Sequence, residues 1–223
     1  MGSQILEWLR LGGPAMLVLL LMSVAGLTIV IVKLWEFWEL RLNRREFVPR
    51  AIEAWHRGNA EHALVLLAAE PSPLAEVMAA AIAGRRNHEL GDAEVREQIQ
   101  ALAASRLDQV RGLFRALEVI AHLGPLLGLL GTTLGMITAF RNLQAAGDRV
   151  NPAILSGGIW QALLCTAAGL VIAVIAIAAL SWLERTVERL HIEMESALTA
   201  IFNRPLNTTG RAPSMATDVG NAY

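Results

Sequence analysis

The chain has 223 residues, of which 54% are hydrophobic and 17% are charged, whereas about a quarter of the residues in a soluble domain are charged. Its formal net charge of −1 argues against a nucleic-acid partner. The single cysteine, Cys165, excludes a disulfide framework within the chain. The composition therefore favours a membrane protein.

Three long runs without a charged residue carry most of the apolar side chains: residues 11–32, 119–140 and 150–183. Each run exceeds the roughly 18 to 20 residues that a helix needs to cross a bilayer. The alternative is a soluble protein with three buried helices, but runs of this length rarely occur together in soluble folds. The first run is longer than the apolar core of about 7 to 15 residues in a signal peptide, and Lys33 follows it rather than a small-residue cleavage site. We therefore expect a retained membrane anchor.

The basic residues predict the orientation of these spans. Residues 33–118 contain 12 of the 19 lysines and arginines, and four more follow residue 183. Basic residues near the ends of spans mark the cytoplasmic side. The N-terminus is therefore expected in the periplasm, and residues 33–118 and the C-terminus in the cytoplasm.

The segments outside the apolar runs are predicted to be mostly helical. Residues 34–56 can continue the first span without a break. Two prolines in residues 70–73 (EPSP) predict a turn, because neither fits inside a helix. Gly91 and Asp92 are typical of the boundary before a further long helix, whose apolar spacing runs directly into the second span.

The third span is expected to project far beyond the bilayer as one helix, because apolar residues keep helical spacing from Leu183 to Ile201. From Pro205 onward there is no periodicity, which predicts disorder. The fold class is therefore an all-α membrane protein with three transmembrane helices and long cytoplasmic helical extensions. The predicted segments are a periplasmic N-terminus (1–10), transmembrane helix 1 (11–32), a cytoplasmic helical region (33–118), transmembrane helix 2 (119–140), a periplasmic loop (141–152), transmembrane helix 3 (153–183), a cytoplasmic helix (184–203) and a disordered tail (204–223).

Enzyme chemistry has little support in this sequence. There is no glycine-rich phosphate loop and no strand pattern, so we expect neither an enzyme nor a bound cofactor. The five histidines are dispersed. His88 with Glu89 and Asp92 is better explained by a solvated loop than by a metal site, so no metal is expected. His122, near the inner end of the second span, is expected to reach the membrane boundary or to bond a backbone carbonyl rather than to carry protons.

The second span carries four glycines, Gly124, Gly128, Gly131 and Gly135, at spacings of four, three and four. About 100° per residue places them on one narrow strip, which lets another helix approach closely. Thr132 lies at the edge of this strip. A bond to its own backbone and a place beside a partner helix are both open for its hydroxyl.

The third span has one face of small, weakly polar residues. Gln161 and Thr166 lie at its two edges. With Thr132 they could form a sparse polar ring if several subunits assembled. Such a lining orders water but holds no charge, so a proton path would need a carboxylate from another membrane helix. The residues of the small face, which spans about 140°, are Gln161, Ala162, Cys165, Thr166, Gly169, Ala173 and Ala176.

Two span motifs, GPLLGLLGTTLGM (124–136) and GGIWQALLCTAAGL (157–170), closely resemble those of the ExbB/TolQ/MotA family of inner-membrane proton-channel subunits. GGPAMLVLLLMSVAGL (12–27) and SPLAEVMAAAI (72–82) also resemble ExbB sequences. The resemblance covers most of the chain. Three spans with a large inner loop are similar to ExbB and TolQ rather than to the four-span MotA.

The resemblance implies a homopentameric ring in the inner membrane of a Gram-negative bacterium, around the helices of ExbD- or TolR-like single-span partners. Proton flow through such a channel drives rotation, and a TonB- or TolA-like protein carries the force toward the outer membrane. The proton-bearing aspartate belongs to the partner. Thr132 and Thr166 match the channel threonines of the family, and Gly169 lies in the matching TAAGL motif.

Gln161 departs from the family pattern, in which the matching position is a glutamate that faces the channel. Glutamine keeps the size of that side chain but cannot release a proton. Three functions therefore stay open: an ExbB-type subunit that energises TonB-dependent transport, a TolQ-type subunit for envelope integrity, and a scaffold that passes no protons. Ile175 is a second departure, because a proline is common there.

Overall fold

The computed structural model describes residues 2–42, 44–86, 91–145 and 152–203, with side chains from residue 14 in the first range and from residue 155 in the last. These residues form seven α-helices and no strand, which confirms the all-α fold class. The helices are α1 (Gly2–Glu39), α2 (Phe47–His56), α3 (Ala60–Ala68), α4 (Pro73–Arg86), α5 (Asp92–Val110), α6 (Phe114–Ala145) and α7 (Pro152–Phe202).

Three of the helices are long and apolar enough to cross a membrane, which confirms the three predicted spans. The segments are Pro14–Glu39 in α1, Phe114–Ala145 in α6 and Leu155–Phe202 in α7. Helices α6 and α7 pack antiparallel along most of their apolar length, and α1 lies against both. Of the remaining helices, α2, α4 and α5 pack against α7, and α3 packs against α2 and α4. We call α2 to α5 and the C-terminal part of α7 the head.

The chain turns at two places where an unbroken helix was expected, so both predictions were wrong. Helix α1 ends at Glu39 rather than continuing to His56, and Arg41 adopts a φ of 45°. This turn buries Leu42 in the core of the head, where a straight helix would have carried it into water. Helix α5 ends before Leu113, whose φ is 68°, and α6 starts in a new direction. We call residues 111–113 the elbow.

Other boundaries were predicted correctly. Helix α3 ends at Ala68 and α4 begins at Pro73, on either side of the predicted turn. Helix α5 begins at Asp92. Helix α7 is a single helix of 51 residues, which confirms the predicted extension of the third span. Half of the predicted periplasmic loop, residues 146–151, and all of the predicted tail, residues 204–223, lie outside the described residues. The described part of the loop is helical, because α6 continues to Ala145 and α7 begins at Pro152.

Two buried side chains and one aspartate fix the C-terminal end of α7 to the head. The Arg85 guanidinium donates hydrogen bonds to the carbonyls of Ile201 (2.7 Å) and Phe202 (3.2 Å) and pairs with Asp92 at 3.3 Å. The Trp55 indole N–H donates to the Ile201 carbonyl at 3.2 Å. The last carbonyls of a helix lack partners within it and favour a nearby cation. These contacts therefore satisfy the end of α7 and hold it in place.

Lys33 ties α1 to the elbow from a buried position. Its Nζ donates to the Glu36 carboxylate at 2.6 Å and to the Val110 carbonyl, at the end of α5, at 3.1 Å. It also lies 5.9 Å from the centre of the Phe114 ring. In the sequence, Lys33 was notable only as a charged residue next to a span. In the structure it joins three helices.

Arginines in the turn between α1 and α2 pair with glutamates of the head. Arg41 and Arg44 lie 3.9 Å and 3.7 Å from Glu70, and Arg45 pairs with Glu193 of α7. Burial raises the pKa of the Glu193 carboxyl, and the Arg45 charge opposes that rise. Exposed pairs of this kind add little stability individually, so the buried contacts of Lys33 and Arg85 contribute more to the position of the head.

Candidate channel wall formed by α6 and α7

Small residues, mainly glycine and alanine, form the contact between α6 and α7. A Cβ atom added to Gly131 would lie 2.6 Å from the Cβ of Cys165, and one added to Gly158 would overlap Ala139. A Cβ on Gly169 would overlap the carbonyl of Gly124. Because lipid removes the hydrophobic drive for association, close packing of small residues is what holds membrane helices together.

The glycine strip of α6 faces α7 of the same chain. Gly124, Gly128 and Gly131 are buried there, and a Cβ on Gly135 would lie 3.0 Å from the Cβ of Ala162. The sequence left open which helix approaches the strip. The structure places the small face of α7 against it, with Gly169 at one of the closest approaches.

The threonine hydroxyls bond backbone carbonyls in two different ways. Thr166 is half-buried, and its hydroxyl donates across the contact to the Gly128 carbonyl at 3.1 Å. Thr132 and Thr133 donate to the Leu129 carbonyl of their own helix, at 2.7 Å and 3.1 Å, which for Thr132 is one of the two arrangements that the sequence left open. Each hydroxyl oxygen still has lone pairs that can accept a hydrogen bond, so these groups can order water while fixed in place.

The predicted polar residues lie on two different edges of the helix pair. Gly128 lies beside Thr166, whereas Gly131 lies beside Ala15 of α1. By helical geometry Thr132 projects to the side of Thr166, away from α1, and we call this side the threonine edge. Gln161 is half-buried and lies about 140° from Thr166, on the side of α1. One chain thus brings the two threonines to one edge, and only a neighbouring subunit could complete a ring with Gln161.

Large apolar side chains cover the outer faces of the helices. In the most apolar part of each span, between 17% and 22% of the residues are buried within the chain. The other residues of these spans must contact lipid or other protein, because large apolar patches are rarely exposed to water. Among the most exposed are Leu126, Leu129, Leu163, Val171, Val174 and Ile175.

The described part of the chain contains no cluster of metal-ligating side chains. Among these residues, no three His, Cys, Asp or Glu side chains lie close enough together to hold a metal ion. The Nδ1 of His122 lies 2.8 Å from the Glu118 carbonyl, which is the backbone contact expected for it. His88 and Glu89 lie outside the described residues.

Comparison with known families shows to which family the chain belongs. The model of the MotA/TolQ/ExbB proton channel family matches residues 69–196, more than half of the chain. The chain belongs to this family. The matched stretch contains all of α6 and the part of α7 that packs against it, so the glycine contact lies within the region that defines this proton-channel family.

Individual relatives of this family member carry ExbB names. It is 42% identical over 80 residues to biopolymer transport protein exbB1 of Vibrio cholerae, over 34% of this chain and 35% of the relative. It is 32% identical over 180 residues to a putative biopolymer transport protein, ExbB-like 1, of Synechocystis, over 77% and 66% of the two chains. A third relative, biopolymer transport protein ExbB of Neisseria gonorrhoeae, is 28% identical over 147 residues. The matches span between about a third and two thirds of these relatives' lengths.

Proposed function

We propose that the chain is an ExbB-type ring subunit of an inner-membrane proton channel, which works with an ExbD-like single-span partner to energise TonB-dependent transport across the outer membrane. The observation that carries this proposal is the threonine edge. It presents fixed hydroxyl groups beside a close α6–α7 contact, and Thr132, Gln161 and Thr166 carry no charge. The names of the relatives favour ExbB over a TolQ-type role.

The chemistry of this edge requires a partner. Hydroxyl groups can hold a file of water molecules but cannot carry the proton as a charge, so a titratable group must come from another helix. An aspartate on the partner's span would supply it. Five copies around the partner, with the N-terminus in the periplasm and the C-terminus in the cytoplasm, would turn the threonine edges toward the partner and the bulky faces toward lipid and neighbours.

Gln161 gives the second candidate, a scaffold that assembles without passing protons. The deciding experiment measures proton flux into liposomes that contain the chain with its coexpressed ExbD-like partner, and compares it with Gln161→Glu. We expect the unaltered chain to conduct at a rate comparable to that of Gln161→Glu, because the proton carrier is on the partner. Flux that occurs only in Gln161→Glu would establish the scaffold instead.

The same flux assay tests the threonine edge. In Thr166→Val the loss of one hydrogen-bonding group, worth about 1 kcal/mol, should lower flux about fivefold. Thr133→Val is the matched control, since Thr133 bonds only its own helix and projects away from the edge. Equal flux in both variants would remove Thr166 from the path.

A further inference from the structure

A charged crevice of about 620 Å³ lies where α6 and α7 leave their apolar segments at the head side of the membrane. Both walls carry basic and acidic side chains, and one aromatic ring contributes to the floor. We call it the inner crevice. Its lining residues are Arg111, Phe114, Arg115, Glu118, Glu184, Arg185 and Glu188.

The inner crevice lies directly in line with the threonine edge. In α6, Phe114 precedes Thr132 by 18 residues, and in α7, Glu184 follows Thr166 by 18 residues. Eighteen residues make five full turns of an α-helix, so Phe114 and Glu184 lie on the same sides of their helices as Thr132 and Thr166. Both helices are continuous over these stretches.

Only some of the charged side chains of the inner crevice pair with a side chain of opposite charge within the described part of the chain. Arg111 and Glu188 approach to 4.0 Å. Arg115, Glu118 and Arg185 are exposed, and within the described ranges they form no ion pair with another side chain. Two signs of charge on adjacent helices would suit a segment that itself carries both signs.

A second groove extends the inner crevice along the head. It has a volume of about 490 Å³, lies between α5 and α7, shares Arg111 with the crevice and reaches Phe202. Phe202 follows Glu184 by a further 18 residues, so the groove keeps to the side of the threonine edge. Leu107 and Met194 form part of its apolar floor. The lining of the two cavities runs along α7 from Glu184 to Phe202, a distance of about 27 Å at 1.5 Å per residue.

We propose that the inner crevice and this groove bind the segment of the single-span partner that leaves the membrane on the head side, and that this segment carries both acidic and basic residues. The proposal rests on the proposed function, because it takes the partner's span to lie against the threonine edge. A helix on that edge that continued out of the bilayer would enter the crevice. Its charges would pair with Glu184 and Arg115 on opposite walls.

The test uses the full chain coexpressed with its ExbD-like partner, with a photoreactive p-benzoyl-phenylalanine in place of single residues. Glu184 is the probe position. Arg189 is the matched control, because it is also exposed but lies five residues and about 140° farther around α7. A third probe at Thr166 reports on the threonine edge. We expect cross-links to the partner from the positions of Glu184 and Thr166 and none from that of Arg189.

Each outcome has a distinct meaning. A cross-link to the partner from Thr166 but not from Glu184 would overturn the inference and leave the proposed function standing. No cross-link to the partner from either position would overturn both. A cross-link from Glu184 to a second copy of the chain would assign the crevice to a subunit contact instead.

Charge reversal gives an independent measurement. Glu184→Arg should weaken retention of the partner about tenfold, as expected when a like charge replaces one half of an interfacial pair. Arg189→Glu, which reverses a charge outside the crevice, should leave retention unchanged. Equal retention in the two variants would contradict the proposed pairing.

Discussion

Lys33 is a buried cation with defined hydrogen-bonding partners. Its ammonium group is held by one carboxylate and one backbone carbonyl, those of Glu36 and Val110. A buried charge is tolerated when such partners replace its lost hydration. The position therefore places the inner end of α1 against the elbow, at the point where α6 enters its apolar segment.

Replacing this ammonium group should destabilise the protein. In Lys33→Met the Val110 carbonyl loses its side-chain donor and Glu36 loses its counter-charge, which should lower the free energy of unfolding by about 1–3 kcal/mol. Thermal unfolding in detergent measures the effect. Arg50→Met removes an exposed cation whose one hydrogen bond among the described residues goes to the Glu46 carbonyl of its own turn. The unfolding temperature of this variant should stay close to that of the unaltered chain. The same loss in both variants would contradict a special role for Lys33.

At the scale of elements, the α6–α7 pair depends on the absence of side chains at its contact. Two adjacent glycines at the start of α7 allow the effect of close packing to be distinguished from the effect of helix propensity. Gly158 faces Ala139 with no room for a Cβ, whereas a Cβ on Gly157 would meet nothing within 4 Å. The same substitution at neighbouring positions thus has opposite consequences.

Gly158→Ala should lower the free energy of unfolding by about 1–3 kcal/mol, because the added methyl group forces the two helices apart. Gly157→Ala should leave it unchanged or raise it by up to about 1 kcal/mol, because alanine favours the helix. Unfolding of the purified variants in the same detergent compares them. A larger loss in Gly157→Ala would show that the packing of α7 on α6 differs from the one described.

Much of this architecture follows from local patterns in the sequence. Charge-free length predicted the spans, the paired prolines around Ser72 predicted the turn before α4, and the four-three-four glycine spacing predicted a close helix contact. Each of these signals depends on residues close together in the chain. The identity of the helix facing the glycines did not follow, because the glycines fit a helix of the same chain and one of another subunit equally well.

The elbow left one local signal in the sequence, Gly112, and an isolated glycine does not by itself end a predicted helix. Leu113 adopts a backbone conformation that glycine usually supplies, and the apolar spacing continues on both sides of it. Packing of Phe114 and Leu117 into the core fixes the change of direction, and this depends on residues distant in sequence. The contact of Lys33 with Val110 is hidden for the same reason, since 77 residues separate them.

At the scale of the whole molecule, a single chain leaves most of its span surface for other molecules to cover. The threonine edge is polar, while the outer faces carry large aliphatic side chains. Self-association with the edges turned inward would separate these two surfaces. This arrangement also agrees with the ring that the family resemblance implies.

We therefore expect native mass spectrometry of the protein, released from lipid nanodiscs, to give five times the 24.1 kDa chain mass plus that of the coexpressed partner. The physical reason is that a closed ring buries every threonine edge in an equivalent position. Chains that stay monomeric in the bilayer, with Thr132 and Thr166 accessible to lipid-soluble probes, would contradict this expectation.

The unbroken length of α7 has a mechanical consequence. Helix α1 ends and helix α6 begins where each meets the head, but α7 continues from the membrane span into the head as one helix. Its last turn is held there by hydrogen bonds from Arg85 and Trp55. About 54 Å separate Thr166 from Phe202 at 1.5 Å per residue. A tilt of about 5° at Thr166 would thus swing the far end by about 5 Å. Because α7 is continuous, a small tilt of the helix beside the threonine edge would therefore produce a larger displacement of the head.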